Sequence, residues 1–417
     1  MPARKIIAFG LPGEPSTPSA GKPRLPLTGC CTRLAPAYNR SMQRLFAALT
    51  VSVALSIAQP AERARDIPVS LDGTPGVWNA ITDVKGVEVG YQTLIAGSGL
   101  SAIRTGVTAV WPRGKSNNAP AFGAWFSLNG NGEMTGTTWL EESGLLSGPV
   151  LITNTHSVGT VRDSFIKWQV GRMQKLGEEP DEWSLPVVAE TWDGFLNDVN
   201  GFHVHESDTV AALENARSGP VQEGNVGGGT GMVCYGFKGG TGTSSRKFGG
   251  YTLGVLVQCN CGRRSQLQIS GVPVGKEIQD SIPYARNGAF RDADVGSIII
   301  VIATDAPLLP TQLKRLARRA SLGLARTGSI SGNGSGDIFI AFSTANSEAG
   351  TGKGLVNITM IPENDAMNPF FEATVQATEE AILNAMLGAE TMTGYQDHKV
   401  IALPHDRLRS VLQKYGR

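Results

Sequence analysis

From about Ile67 onward, short apolar runs and amphipathic stretches alternate along the chain, separated by glycine-rich turns. Val107–Trp111, Phe122–Leu128, Val150–Asn154 and Pro186–Glu190 have the length and β-branched content of strands, and the last two end in polar residues. Leu253–Val257 (broken only by Gly254), Ile298–Ala303 and Ile338–Phe342 are apolar throughout, as strands buried on both faces require. Three segments follow a helical period instead. Ser207-Asp208 caps a short helix over Thr209–Ala216. Pro310 opens a helix through Ala320, with Leu313, Leu316, Ala317 and Ala320 on one face. Its other face carries Lys314, Arg315, Arg318 and Arg319, which reads as a solvated surface. Pro369 starts a long helix with Val375, Thr378, Ile382, Ala385 and Met386 on one stripe and Gly388 at its end. Central strands with helices to either side predict a layered α/β domain, and no repeat or linker divides residues 67–417.

The start of the chain breaks this pattern. Residues 1–41 are rich in Pro, Gly, Ser and basic residues; Met42-Gln43-Arg44 then leads into an apolar run, Leu45–Ala58. Gln59-Pro60-Ala61 and the polar stretch Glu62–Asp66 follow, which is the layout of a secretory signal. The run is too short for a comfortable membrane span. Residues 1–66 are therefore expected to be an N-terminal extension and signal peptide, with the signal starting near Met42. A periplasmic or secreted protein without a stable membrane anchor is the expectation.

Composition narrows the function classes. Lys+Arg 37 against Asp+Glu 36 leaves no electrostatic footprint for nucleic acid or an anionic surface. The 52 glycines show no collagen-like period and point to turns, close-packed backbone and a site lined by main chain. Cysteines stand at 30, 31, 234, 259 and 261, so no disulfide framework is implied. Cys259-Asn260-Cys261 is too tightly spaced for an ordinary disulfide and lacks the partners of a four-ligand zinc site; it reads as core cysteines at a strand end. His203-Val204-His205-Glu206 alternates like a half-buried strand and has no clear third ligand. No metal or cofactor is expected.

Two segments carry candidate chemistry. Gly296-Ser297 sits immediately before the stiff run Ile298–Ala303. Glycine permits a strained peptide there, and a serine hydroxyl can attack the preceding carbonyl. Cleavage would leave Ser297 with a free α-amine, which titrates near pH 8 and can act as general base on its own hydroxyl. Taken alone, Gly-Ser before a strand is equally an ordinary turn. The second segment is Gly332-Asn333-Gly334-Ser335-Gly336-Asp337, before Ile338–Phe342. In an extended chain Ser335 and Asp337 share a side, ~7 Å apart. They suit a proton relay, or a turn before a strand.

Several motifs in order resemble the DmpA, or β-peptidyl aminopeptidase, family. They are Gly296-Ser297 through Thr304-Asp305-Ala306-Pro307-Leu308-Leu309-Pro310, then Gly323-Leu324-Ala325-Arg326-Thr327-Gly328, then Gly334-Ser335-Gly336-Asp337-Ile338-Phe339. Glu379-Glu380-Ala381-Ile382, Asn129-Gly130-Asn131-Gly132-Glu133, Glu190-Thr191-Trp192-Asp193-Gly194 and Gly227–Gly242 with Ser245-Arg246 extend the likeness over nearly the whole domain. The resemblance implies a four-layer αββα sandwich similar to the N-terminal-nucleophile hydrolases, self-cleaved into 67–296 and 297–417. It implies an aminopeptidase acting on peptides, amides or esters of β-, L- or D-amino acids through an acyl-enzyme on Ser297. Ser335 and Asp337 match the pair that supports the nucleophile, Asp337 being one methylene shorter than the glutamate of some members. Asn260 matches an oxyanion donor, and Glu190 and Trp192 match an acid and an aromatic beside the substrate's amine. The expected partner is a small peptide or amide substrate, and the expected assembly is a homo-oligomer of the two-chain unit.

Three rivals deserve a place beside this reading. Ser164-Phe165-Ile166-Lys167 fits the S-x-x-K of penicillin-recognising hydrolases, although only Arg326-Thr327-Gly328 approaches the accompanying K-T-G. A self-processing acetyltransferase would usually carry a threonine nucleophile. A non-enzymatic nucleotide-binding module would rest on Gly227–Gly242, which lacks Gly-Lys-Ser/Thr.

Overall fold

The apolar runs pair into two mixed sheets. In chain order the strands are β1 (Glu88–Ala96), β2 (Ile103–Trp111), β3 (Ala121–Ser127), β4 (Leu145–Leu146), β5 (Val150–Asn154), β6 (Val187–Thr191), β7 (Gly240–Phe248), β8 (Tyr251–Asn260), β9 (Ser297–Thr304) and β10 (Ile338–Ser343). The first sheet has the order β1-β2-β5-β6 and the second β4-β3-β10-β9-β8-β7. Only β5/β6 and β9/β10 run parallel within them. The computed structural model describes residues 62–179, 183–286, 288–289, 296–351 and 354–417. The expected signal segment, Cys30, Cys31 and Asp294-Val295 lie outside the described residues.

Strand periodicity explains why the sheets stack. Along β9, Ile299, Val301 and Ala303 join Val150, Ile152 and Val187 of the first sheet in one apolar layer. The alternate residues Ile298, Ile300 and Ile302 pack instead against Leu313, Leu316, Ala377 and Ile382. Those belong to α4 (Pro310–Arg326) and α5 (Asn368–Leu387), which come after α1 (Thr137–Ser143), α2 (Val158–Leu176) and α3 (Glu206–Glu214). On the outer face of the first sheet, Val107, Leu151 and Val188 meet Val161, Phe165 and Leu213 of α2 and α3. Helix, sheet, sheet, helix is the expected four-layer sandwich. Side chains of β9 point alternately into two different cores, which is why the whole run is apolar.

Some local expectations needed correction. The stretch 203–206 is not a strand: residues 202–205 form a loop and Glu206 already begins α3. His203 Nε2 lies 3.1 Å from Asp198 Oδ2, a local pairing rather than a ligand set. The cap of α3 is His205, and Asp208 at the third helical position accepts its backbone N–H at 2.8 Å. Alternation over four residues did not separate a strand from an approach to a capping box. Helix α4 runs one and a half turns beyond Ala320, to Arg326. Its basic face is partly engaged: Lys314 and Arg315 pair with Glu141 and Glu363, and Arg319 lies over Phe371.

The folded body also starts earlier than residue 67. Ala64 is fully buried, and its N–H donates to Asn384 Oδ1 at 2.8 Å. Arg63 pairs with Glu223 at 2.7 Å and Arg65 with Glu380 at 2.9 Å. A polar sequence read as a signal's flank is a strap tied down by its charges.

Candidate active site

Antiparallel pairing of β8 with β9 sets Asn260 directly opposite Ser297, at the strand ends. Parallel pairing of β9 with β10 brings the turn before Ile338 to the same edge. Ser297 is nearly buried, and its Oγ accepts the Gly336 N–H at 3.1 Å. At Gly296 there is no room for a side chain: a Cβ would lie 1.7 Å from the Asn260 carbonyl oxygen and 3.1 Å from Asn260 Nδ2. Close approach of backbone is thus a reason for glycine before Ser297 that the residue pattern did not supply.

Ser335 and Asp337 share a side, and their side chains meet. Ser335 Oγ donates to Asp337 Oδ1 at 2.6 Å, and the same oxygen accepts the Ile298 N–H at 3.2 Å. Both residues are fully buried. The backbone turns earlier, where the Ser335 N–H donates to Gly332 O at 2.9 Å, so it is the side-chain tips that meet across the ~7 Å spacing of alternate positions. The Ile298 bond reaches across strands, so Asp337 is tied to the residue next to Ser297 rather than only to its own turn.

A residue with no role assigned from the sequence builds this turn. Asn129 Oδ1 accepts the Asp337 N–H at 2.7 Å, while its Nδ2 donates to the carbonyls of Ser331 and Gly332 at 3.1 and 3.0 Å. Asn131 Nδ2 donates to Gly334 O at 2.9 Å. Such a fit demands bare backbone: a Cβ at Gly336 would lie 2.6 Å from Gly132 Cα. The Asn-Gly-Asn-Gly repeat was the available signal, since side-chain amides and glycines are what pin one loop on another.

Behind Gly132 lies Glu190. A Cβ on Gly132 would stand 3.3 Å from Glu190 Oε1 and 3.0 Å from Gly336 Cα, so one glycine separates the acid from the serine's turn. Glu190 is buried; Oε1 accepts the Glu133 N–H at 3.0 Å and Oε2 the Thr155 hydroxyl. Burial raises its pKa above the ordinary carboxylate value, and those two donors pull it partly back. Glu190 is thus not a solvated strand-end acid. Trp192 is exposed on the same segment, and its carbonyl accepts Asn260 Nδ2 at 2.8 Å. Asn260 Oδ1 takes the Val233 N–H at 2.7 Å, which fixes the amide's orientation. Asp193 is buried next to Trp192, held by Asn154 and Asn197, and burial pushes its pKa up to about 6.

The structure brings Ser297, Ser335, Asp337, Asn260, Glu190 and Trp192 to one end of the sandwich. It does not do so for the rival pair. Ser164 Oγ is spent on Thr160 O at 2.7 Å within α2, and Lys167 pairs with Asp163 at 2.7 Å on the solvent side. Gly227–Gly242 forms a buried 3-10 turn followed by the start of β7 rather than a phosphate loop.

A αββα sandwich with a serine at the head of a central strand defines the N-terminal-nucleophile type of hydrolase. The sequence profile of Peptidase family S58 matches residues 79–400, and the chain belongs to that family. It is 51% identical over 393 residues to the β-peptidyl aminopeptidase BapA of Sphingosinicella microcystinivorans, covering 89% of this chain and 98% of that protein. The L-aminopeptidase D-Ala-esterase/amidase of Ochrobactrum anthropi, described as a variant of the Ntn-hydrolase fold, superposes with a TM-score of 0.78. It is 47% identical and covers 85% of this chain and 99% of its own. A Burkholderia sp. β-aminopeptidase gives a TM-score of 0.76 at 44% identity, with 85% and 99% coverage. The protein is an aminopeptidase.

Proposed function

We propose that this aminopeptidase works from a serine that it exposes itself. Ser297 Oγ attacks the Gly296 carbonyl carbon, the Gly296–Ser297 C–N bond breaks, and an ester forms while the nitrogen takes up a proton. Water then hydrolyses the ester, leaving a carboxylate on Gly296 and a free α-amine on Ser297. In turnover that amine takes the proton from Oγ as it attacks the substrate carbonyl. The proton passes to the leaving amine, and water releases the acyl group from Ser297. Asp337 and Ser335 steady the head of β9, and Asn260 with the Gly336 N–H faces developing negative charge; such a donor is worth about 3 kcal/mol. Glu190 holds the substrate's ammonium with Trp192 as a wall.

One observation carries this reading: Ser297 begins a buried strand with Gly336 N–H on its hydroxyl and Asp337 on the next amide. Substrates with an N-terminal β-amino acid are the first class to try, given the names of the relatives. The larger fragment would begin ahead of Ala64, since residues 62–66 are part of the fold. Purified protein is expected to run as two chains, the smaller beginning Ser-Ile-Ile-Ile, and to release p-nitroaniline from β-alanyl, L-alanyl or D-alanyl p-nitroanilide. Ser297→Ala should stay a single chain without activity. A fully active uncut chain, or an active Ser297→Ala, would remove Ser297 from its role.

A further inference from the structure

The mechanism leaves one cluster of reactive side chains unused. Cys259 is the penultimate residue of β8, Cys261 follows two residues later, and Cys234 comes from the short hairpin Val233–Lys238 docked beside them. The hairpin is pinned: the Tyr235 N–H donates to Cys261 O at 2.8 Å, and a Cβ on Gly239 would stand 2.3 Å from Cys259 O and 2.9 Å from Cys234 Cβ. The three sulfurs lie within 4.8 Å of one another, Cys259 and Cys261 Sγ at 3.7 Å, and all three side chains are buried. The sequence reading counted only the Cys-Asn-Cys pair and so set a metal aside; the fold supplies the third sulfur.

We propose that Cys234, Cys259 and Cys261 form a three-thiolate site for one thiophilic divalent cation of the zinc, cadmium and mercury class, with Lys238 as its buried counter-charge. Geometry comes first. Two thiolates on one tetrahedral zinc, each at ~2.3 Å, stand roughly 3.8 Å apart. Cys259 and Cys261 already have that separation. Alternate positions on extended chain point to the same side, so the Cys-Asn-Cys spacing that forbids an ordinary disulfide suits two ligands to one ion.

Charge fits the same reading. Lys238 is fully buried, its Nζ donates to Gly239 O at 2.8 Å, and no carboxylate pairs with it among the described residues. Burial pushes the pKa of Lys238 down to about 7, and only an anion nearby restores the ammonium. Three thiolates around a divalent cation carry a net charge of −1, and the ammonium makes the assembly neutral. Neutral thiols offer Lys238 no such partner. Burial favours the neutral form of Cys259, so loading must displace protons: one cation and three thiols give the tris-thiolate and three protons. Soft sulfur ligands select against magnesium and calcium. Because Asn260 sits between two of the ligands, the ion would also brace the turn that carries it.

The test uses the full chain with Cys30→Ser and Cys31→Ser, which leaves these three cysteines alone. Protein produced with Zn²⁺ in the medium and then gel-filtered should hold about one zinc per chain by plasma mass spectrometry. Protein produced with Cd²⁺ should show the ultraviolet thiolate-to-cadmium absorption, and Cys234→Ser should lose both signals. The cadmium band on the parent protein stands even where Cys234→Ser fails to fold. Less than about a tenth of an equivalent of either ion, retention of metal in Cys234→Ser, or a disulfide among the three sulfurs would each overturn the proposal.

Discussion

Glu380 and Glu190 are both buried carboxylates, yet the molecule treats them in opposite ways. Glu380, on α5, is neutralised from within: Arg65 Nε lies 2.9 Å from Oε1, Arg246 2.8 Å from Oε2, and Asn79 Nδ2 2.5 Å from Oε1. Glu190, at the end of β6, receives only neutral donors, the Glu133 N–H and the Thr155 hydroxyl. No lysine or arginine pairs with it among the described residues. A buried anion whose charge the fold leaves unanswered is costly, and burial accordingly raises its pKa. The difference separates a clamp from a receptor. Glu380 ties the strap 62–66 to α5 and β7, whereas Glu190 has no such internal cation and, in the function proposed above, takes the substrate's ammonium.

The sharpest way to break the comparison is Glu380→Ala. It leaves Arg246 buried without its partner, and removing one member of a buried pair costs about 3–5 kcal/mol. Thermal unfolding should show a loss of that order, with catalytic constants per folded molecule little changed. A variant as stable as the parent would mean that the strap is held by something other than this carboxylate.

Glu190→Gln should do the reverse. Hydrogen bonds to charged groups are worth about 1.5–3 kcal/mol, so kcat/KM on free-amine substrates should fall roughly 10- to 150-fold. Stability should hold or rise, because an uncompensated buried charge has been removed. N-acetylated substrates should be poor for the parent and no worse for the variant. Equal losses on free and acetylated substrates would show that the acid does not read the amine.

The same contrast explains what the sequence could reveal. Apolar runs dictated their strands, and β9 in particular admits no other reading, since both of its faces are covered. Ser297 and Asn260 were legible through the motifs; the pairing that places them side by side belongs to the fold. Apart from the motif it matches, Glu190 was visible as an acid at a strand end; its donors come from Glu133 and Thr155, 57 and 35 residues away. Asn129 was quoted within a motif and given no role, because its partner lies 208 residues on. The strap was misread for a related reason. Arg63 and Arg65 look like a signal's polar flank until Glu223 and Glu380, far along the chain, supply their counter-charges.

The smallest effect is the most discriminating, and Thr155→Val isolates it. Its hydroxyl donates to Glu190 Oε2, and among the causes acting on that carboxyl it opposes burial by favouring the charged form. Valine keeps the shape and removes the donor, so the pKa of Glu190 should rise further. The hydroxyl is worth about 1.5–3 kcal/mol to the ionised carboxylate and about 1 kcal/mol to the neutral acid, a difference of roughly half to one and a half pH units. The sign follows from what each form binds. Protonated Glu190 cannot answer an ammonium, so affinity for free-amine substrates is lost as pH falls through its pKa. In Thr155→Val that loss should set in at higher pH, with little change in KM where the acid is fully ionised. The measurement is the pH profile of KM for a β-alanyl p-nitroanilide in both proteins. Glu133 and His156 also act on Glu190, but they are common to both profiles and cancel in their difference. Profiles that superpose would mean that Glu190 is not the group whose charge holds the substrate, and the contrast with Glu380 would lose its functional half.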